Sequence, residues 1–98
     1  MLVYIASPFR GDIETNIKIA RKYSRYAMEE GSVPLAPHLL FPQFMDEESE
    51  RDLALALNIE VLKACKEIWV CGAFTTEGMA FEIKKAKELG IPIREVML

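Results

Sequence analysis

The sequence predicts an α/β fold, a three-layer sandwich around a four-stranded parallel sheet in the order 2-1-3-4, and three observations lead there. Four short runs rich in apolar, β-branched and aromatic residues punctuate the chain: Leu2-Val3-Tyr4-Ile5-Ala6, Val33-Pro34-Leu35-Ala36, Ile68-Trp69-Val70-Cys71 and Pro92-Ile93-Arg94-Glu95-Val96-Met97. The segments between them carry apolar residues three and four positions apart, the spacing of one helix face. The first and last of these helices are stopped by Gly31 and Gly90. Strand–helix alternation with right-handed crossovers gives a parallel sheet covered on both faces.

Leu2 to Ala6 lacks an apolar/polar alternation, as suits a central strand buried on both faces. Ser7-Pro8-Phe9-Arg10-Gly11-Asp12 then breaks the pattern with turn-forming residues. From Asp12 or Thr15 to Glu30, Ile13, Ile17, Ala20, Tyr23 or Ser24, and Ala27 mark the apolar face of a first helix. Pro34 has no N–H for a ladder, which places the second strand at an edge. Pro37 to Phe44 is apolar but bracketed by prolines, so it is expected to form no regular helix; it packs over the core or a dimer surface, or walls a pocket for a flat ligand. The acidic run Asp46 to Asp52 reads as the opening of a second long helix that continues through Leu53, Val61 and Ala64 to Lys66. After the third strand, Thr75 or Thr76 caps a helix to Leu89.

A chain of 98 residues with 51% apolar and 28% charged side chains has the composition of one globular domain, residues 1–98. Its core is small, so self-association into a homodimer is expected. A net charge of −3 gives no electrostatic case for a nucleic-acid polymer. No run is long enough to span a membrane and Met1-Leu2-Val3-Tyr4 does not open like a signal peptide, which predicts a cytoplasmic protein without membrane partners. Cys65 and Cys71, with His38 as the only histidine, read as reduced buried thiols rather than metal ligands, and no cofactor is expected.

In the order 2-1-3-4 the first and third strands adjoin at the topological switch point, so the loops after them share one crevice. One loop brings Ser7 and Arg10; the other brings Thr76, the Gly78 amide and Glu82. A guanidinium, hydroxyls and helix N–H groups suit a phosphate. Glu82, placed near the start of its helix, is expected to remain ionised and to serve as an anionic nucleophile, or else to be a solvated first-turn glutamate. His38 alone reads as a structural histidine as readily as a functional one.

Tyr4-Ile5-Ala6-Ser7-Pro8-Phe9-Arg10-Gly11 together with Thr76-Glu77-Gly78-Met79-Ala80-Phe81-Glu82 resembles the nucleoside 2-deoxyribosyltransferase superfamily. Within it, the likeness is to 2′-deoxynucleoside 5′-monophosphate N-glycosidases and to small bacterial and phage members. The resemblance spans nearly the whole chain and implies a flavodoxin- or Rossmann-like sandwich. It further implies that Glu82 attacks C1′, that Tyr4 orients it, and that Ser7, Arg10, Gly11, Thr76 and Gly78 surround a 5′-phosphate, with His38 against the base. Asn58 stands where the family has an acidic partner, and an amide hydrogen-bonds a base without delivering a proton. Asp52, a turn and a half upstream, is the available substitute, and Lys66 replaces another common aspartate. The expected activity is cleavage of the N-glycosidic bond of a (deoxy)nucleoside 5′-monophosphate; the alternatives are a nucleotide-binding module without turnover and a structural protein.

Overall fold

The computed structural model describes residues 1–98. The elements are β1 (Leu2–Ala6), α1 (Ile13–Glu29), β2 (Val33–Leu35), α2 (Pro37–Leu40), a 3₁₀ turn (Phe41–Gln43), α3 (Arg51–Ala64), β3 (Glu67–Cys71), α4 (Glu77–Glu88) and β4 (Ile93–Val96). The strands form one parallel sheet in the order β2-β1-β3-β4, as the alternation predicts. Registers include Val3 opposite Pro34, Ile5 opposite Trp69 and Val70 opposite Glu95.

Because side chains alternate across a strand, the central strands supply both cores. Val3, Ile5, Trp69 and Cys71 pack on Tyr23 and Ala27 of α1, whereas Tyr4, Ala6 and Ile68 pack on Leu62 of α3 and Ala86 of α4. This is the three-layer sandwich, with β1 and β3 buried on both faces. Pro34 lies on the edge strand, and β4 closes the other edge with Arg94 over the Trp69 ring at 4.4 Å.

Helix ends follow the local chemistry. The Asp12 carboxylate accepts from the Thr15 N–H and hydroxyl at 3.2 and 2.8 Å, starting α1, and Gly31 takes φ of 87° just beyond its end. The Thr76 hydroxyl accepts from the Met79 N–H and starts α4.

Two segments depart from the sequence reading. Pro37 to Gln43 does contain helix: Pro37 is the first residue of the single turn α2, and Pro42 lies in the first turn of the 3₁₀ segment, positions where a missing N–H costs no intrahelical bond. The acidic run does not open α3. The Asp46 carboxylate accepts from the Glu48 and Ser49 N–H groups at 2.9 and 3.3 Å, folding residues 46–50 into turns and delaying the helix to Arg51. At its far end α3 stops at Ala64, because Cys65 is extended and Lys66 already donates to the Leu2 carbonyl at 2.8 Å.

Candidate functional site

The loops leaving β1 and β3 meet as the switch-point rule requires. Phe9 and Arg10 follow β1, and Thr76, Glu77 and Gly78 lead from β3 into α4. With His38 of α2, Glu47 of the acidic turns, Arg51, Leu55 and Asn58 of α3 and Glu82 of α4, they line one cavity of about 220 Å³. The sequence-derived residues Arg10, His38, Asn58, Thr76, Gly78 and Glu82 therefore converge.

Tyr4 stands behind this wall. Buried on β1, it donates its phenol proton to Glu82 Oε2. Ser7 is also buried and its hydroxyl has no hydrogen-bond partner; it does not line the cavity. Gly11 lines a neighbouring, larger groove of about 730 Å³ that shares Phe9, Arg10 and Glu47 with the cavity.

The state of Glu82 corrects the sequence reading. It lies six positions beyond the Thr76 cap and is only 3% exposed, so it is neither a solvated first-turn residue nor a carboxylate held by free helix N–H groups. Burial pushes its pKa up to about 7, an effect partly opposed by the Tyr4 hydrogen bond and the His38 imidazole and reinforced by Glu47. Tyr4 is held well above its ordinary value by its own burial and then by the adjacent carboxylate, so the phenol keeps its proton and remains the donor.

His38 stacks on Phe9, with ring centroids 4.9 Å apart and 23° between planes, and its Nδ1 lies 3.8 Å from Glu47 Oε1. Asn58 is buried with Oδ1 unpartnered. Asp52 is exposed and does not line the cavity, whereas Arg51, Leu55 and Asn58, at i, i+4 and i+7, present one face of α3 to it. Given Asn58, that periodicity points to Arg51 and Leu55, which sequence reasoning missed. Glu47 was hidden in a run of five acidic residues between Asp46 and Asp52, and Phe9 in a loop without a period.

Elsewhere, burial pushes the Cys65 thiol up to about 11 and the Cys71 thiol up to about 12, which makes both poor nucleophiles. No group of three His, Cys, Asp or Glu side chains is placed to hold a metal ion, and no helix is long and apolar enough to cross a membrane.

Two solved enzymes share this architecture. A 2-deoxyribosyltransferase from Bacillus psychrosaccharolyticus superposes with a TM-score of 0.74 at 20% identity, over 99% of this chain and 72% of the enzyme. A 2-deoxyribosyltransferase from Leishmania mexicana gives 0.69 at 22% identity, over 98% of this chain and 63% of the enzyme. No curated protein sequence matches the chain. Residues 1–96 match the domain family of unknown function DUF7768. The chain belongs to the DUF7768 family and carries the α/β fold of the 2-deoxyribosyltransferases.

Proposed function

We propose that this protein, acting as one domain over residues 1–98, cleaves the N-glycosidic bond of a (deoxy)nucleoside 5′-monophosphate, with Glu82 as nucleophile. The observation that carries the reading is a desolvated carboxyl, oriented by the Tyr4 phenol, that lines a cavity also walled by Arg10, Arg51 and the N-terminus of α4. The likeness to two 2-deoxyribosyltransferases supports the same class of chemistry.

Each group has work suited to its chemistry. Breaking the C1′–N bond builds oxocarbenium character at C1′, which an adjacent carboxylate stabilises and then traps as a glycosyl ester. A Glu82 pKa of about 7 leaves roughly half the molecules ionised at neutral pH, and the Tyr4 hydrogen bond favours that form. Arg10, the Thr76 hydroxyl and the Gly78 N–H hold the 5′-phosphate at the start of α4, with Ser7 and Gly11 in the loop that carries Arg10. The stacked Phe9 and His38 rings wall the base, and the Asn58 amide meets its polar edge. Water completes the reaction in a hydrolase; a second base completes it in a transferase.

The amide at Asn58, which carries no transferable proton, favours a second reading in which the nucleotide is bound and not turned over. Incubation with a panel of nucleoside 5′-monophosphates and free nucleosides, followed by chromatography for released base, separates the two. Release from monophosphates that is lost in Glu82→Ala supports the enzyme. Release that persists in Glu82→Ala removes the assigned nucleophile, and saturable binding without release establishes the second reading.

A further inference from the structure

We propose that His38 and Glu47 form the proton-donating pair that activates the leaving base, an assignment that rests on the N-glycosidase reading above. Four observations converge on it. His38 Nδ1 and Glu47 Oε1 face each other at 3.8 Å, and the two side chains are only 15% and 16% exposed. Those same two atoms are buried and neither makes a hydrogen bond within the protein. Both residues line the cavity that contains Glu82. The pair also acts electrostatically on Glu82, the imidazole favouring its ionised form and Glu47 opposing it.

The position answers a chemical need. A departing base takes the electron pair of the C1′–N bond, and a neutral base leaves more readily when a proton arrives at one of its ring nitrogens or carbonyl oxygens. Asn58 has no proton to give, and Asp52 is turned to solvent. His38 is packed parallel to Phe9, which fixes its ring plane, and with Nδ1 facing Glu47 its Nε2 is the atom left to meet the base. A separation of 3.8 Å is longer than a hydrogen bond, and catalytic contacts of this kind commonly tighten when substrate closes the site.

Glu82 forms a bond to C1′ as the C1′–N bond breaks, and the His38 imidazolium gives its Nε2 proton to the base, becoming neutral. Water then attacks C1′, passes a proton to His38 and expels Glu82 as carboxylate, which restores the imidazolium. His38 is the catalytic residue here. Glu47 is a positioning residue, stabilising the imidazolium through Nδ1. The other charged groups facing the pair across the cavity are Arg10 from the β1 loop, Arg51 from α3, and Glu77 and Glu82 from α4.

The test compares two substrates in the protein of residues 1–98: a purine nucleoside 5′-monophosphate that the parent cleaves, and its 7-methyl derivative, whose cationic base leaves without protonation. For the ordinary nucleotide, His38→Gln is expected to lower kcat on the order of 100-fold or more, with a smaller loss in Glu47→Gln. On the 7-methyl substrate the kcat loss in each variant is expected to be at least about tenfold smaller than on the ordinary nucleotide, and the turnover that remains shows that the variants are folded. Glu82→Gln loses both reactions. Glu47→Gln is expected to lose more on the ordinary nucleotide than on the 7-methyl substrate, a split that a merely structural role for Glu47 does not produce. Equal losses on both substrates, or an unchanged rate on the ordinary nucleotide in His38→Gln, overturn the donor pair while leaving the N-glycosidase reading intact. A parent that releases no base from any nucleoside 5′-monophosphate of the panel overturns that reading and the donor pair with it. If His38→Gln fails to fold, the substrate comparison in Glu47→Gln decides by the same criteria.

Discussion

The Tyr4 phenol donates a hydrogen bond to the Glu82 carboxyl across 78 positions of sequence. One group comes from a central strand and the other from the last helix, and both are almost fully buried. A buried donor therefore fixes a buried acid beside a cavity, and the energetics of that pair govern several measurable properties.

Glu82 makes stability fall with rising pH. Its pKa is about 7 in the fold against an ordinary 4.5, so between those values the native state holds a proton that the unfolded chain has lost. Stability is highest below that window and declines through it, by about 3 kcal/mol from this group. Glu82→Gln removes the dependence, so the melting temperature of the variant relative to the parent is expected to rise between about pH 5 and about pH 8. A constant difference over that range would contradict the burial argument.

Tyr4→Phe takes away the hydrogen bond that favours the ionised carboxyl. Leaving the acceptor buried and unmet costs about 1–3 kcal/mol in denaturant unfolding. The pKa of Glu82 then moves above about 7, so the acidic limb of any base-release profile shifts to higher pH. A limb that stays in place would separate Tyr4 from the reacting group.

Phosphate is expected to raise the melting temperature of the parent, and this protection is expected to disappear in Arg10→Ala. Ser7→Ala removes a buried hydroxyl that has no protein partner and lies outside the cavity lining, so it is expected to cost less than about 1 kcal/mol of stability and to leave the phosphate effect in place. Undiminished protection in Arg10→Ala would move the anion site elsewhere.

Asp52→Ala is expected to change neither stability, beyond about 0.5 kcal/mol, nor base release, since the side chain faces solvent on the first turn of α3. A large loss of release would mean that the residue reaches the cavity after all.

The strand order and the convergence of Arg10, Thr76 and Glu82 were legible because each depends on a local signal joined to a topological rule. β-Branched runs mark strands, Thr76 marks a cap, and the parallel order brings their loops together. Glu47 was not legible, because turns have no periodicity: whether Asp46, Glu47 or Glu48 faces inward is decided by the Asp46 side chain bonding to backbone N–H groups. The protonation of Glu82 was misjudged for a related reason. Proximity to a helix start is visible in sequence, but the depth of burial depends on α3 and β1 packing over that position, and desolvation outweighs any dipole left six residues into the chain of turns.

The placement of β1 between β2 and β3 bears on how the protein is made. A ribosome delivers β1 first, yet one of its two ladder edges has no partner until residues 67–71 emerge. Until then a fully apolar strand offers unpaired N–H and C=O groups to any neighbouring chain. Fragments ending before Glu67 should therefore precipitate or recruit chaperones, and the third strand acts as the seal that ends this exposure.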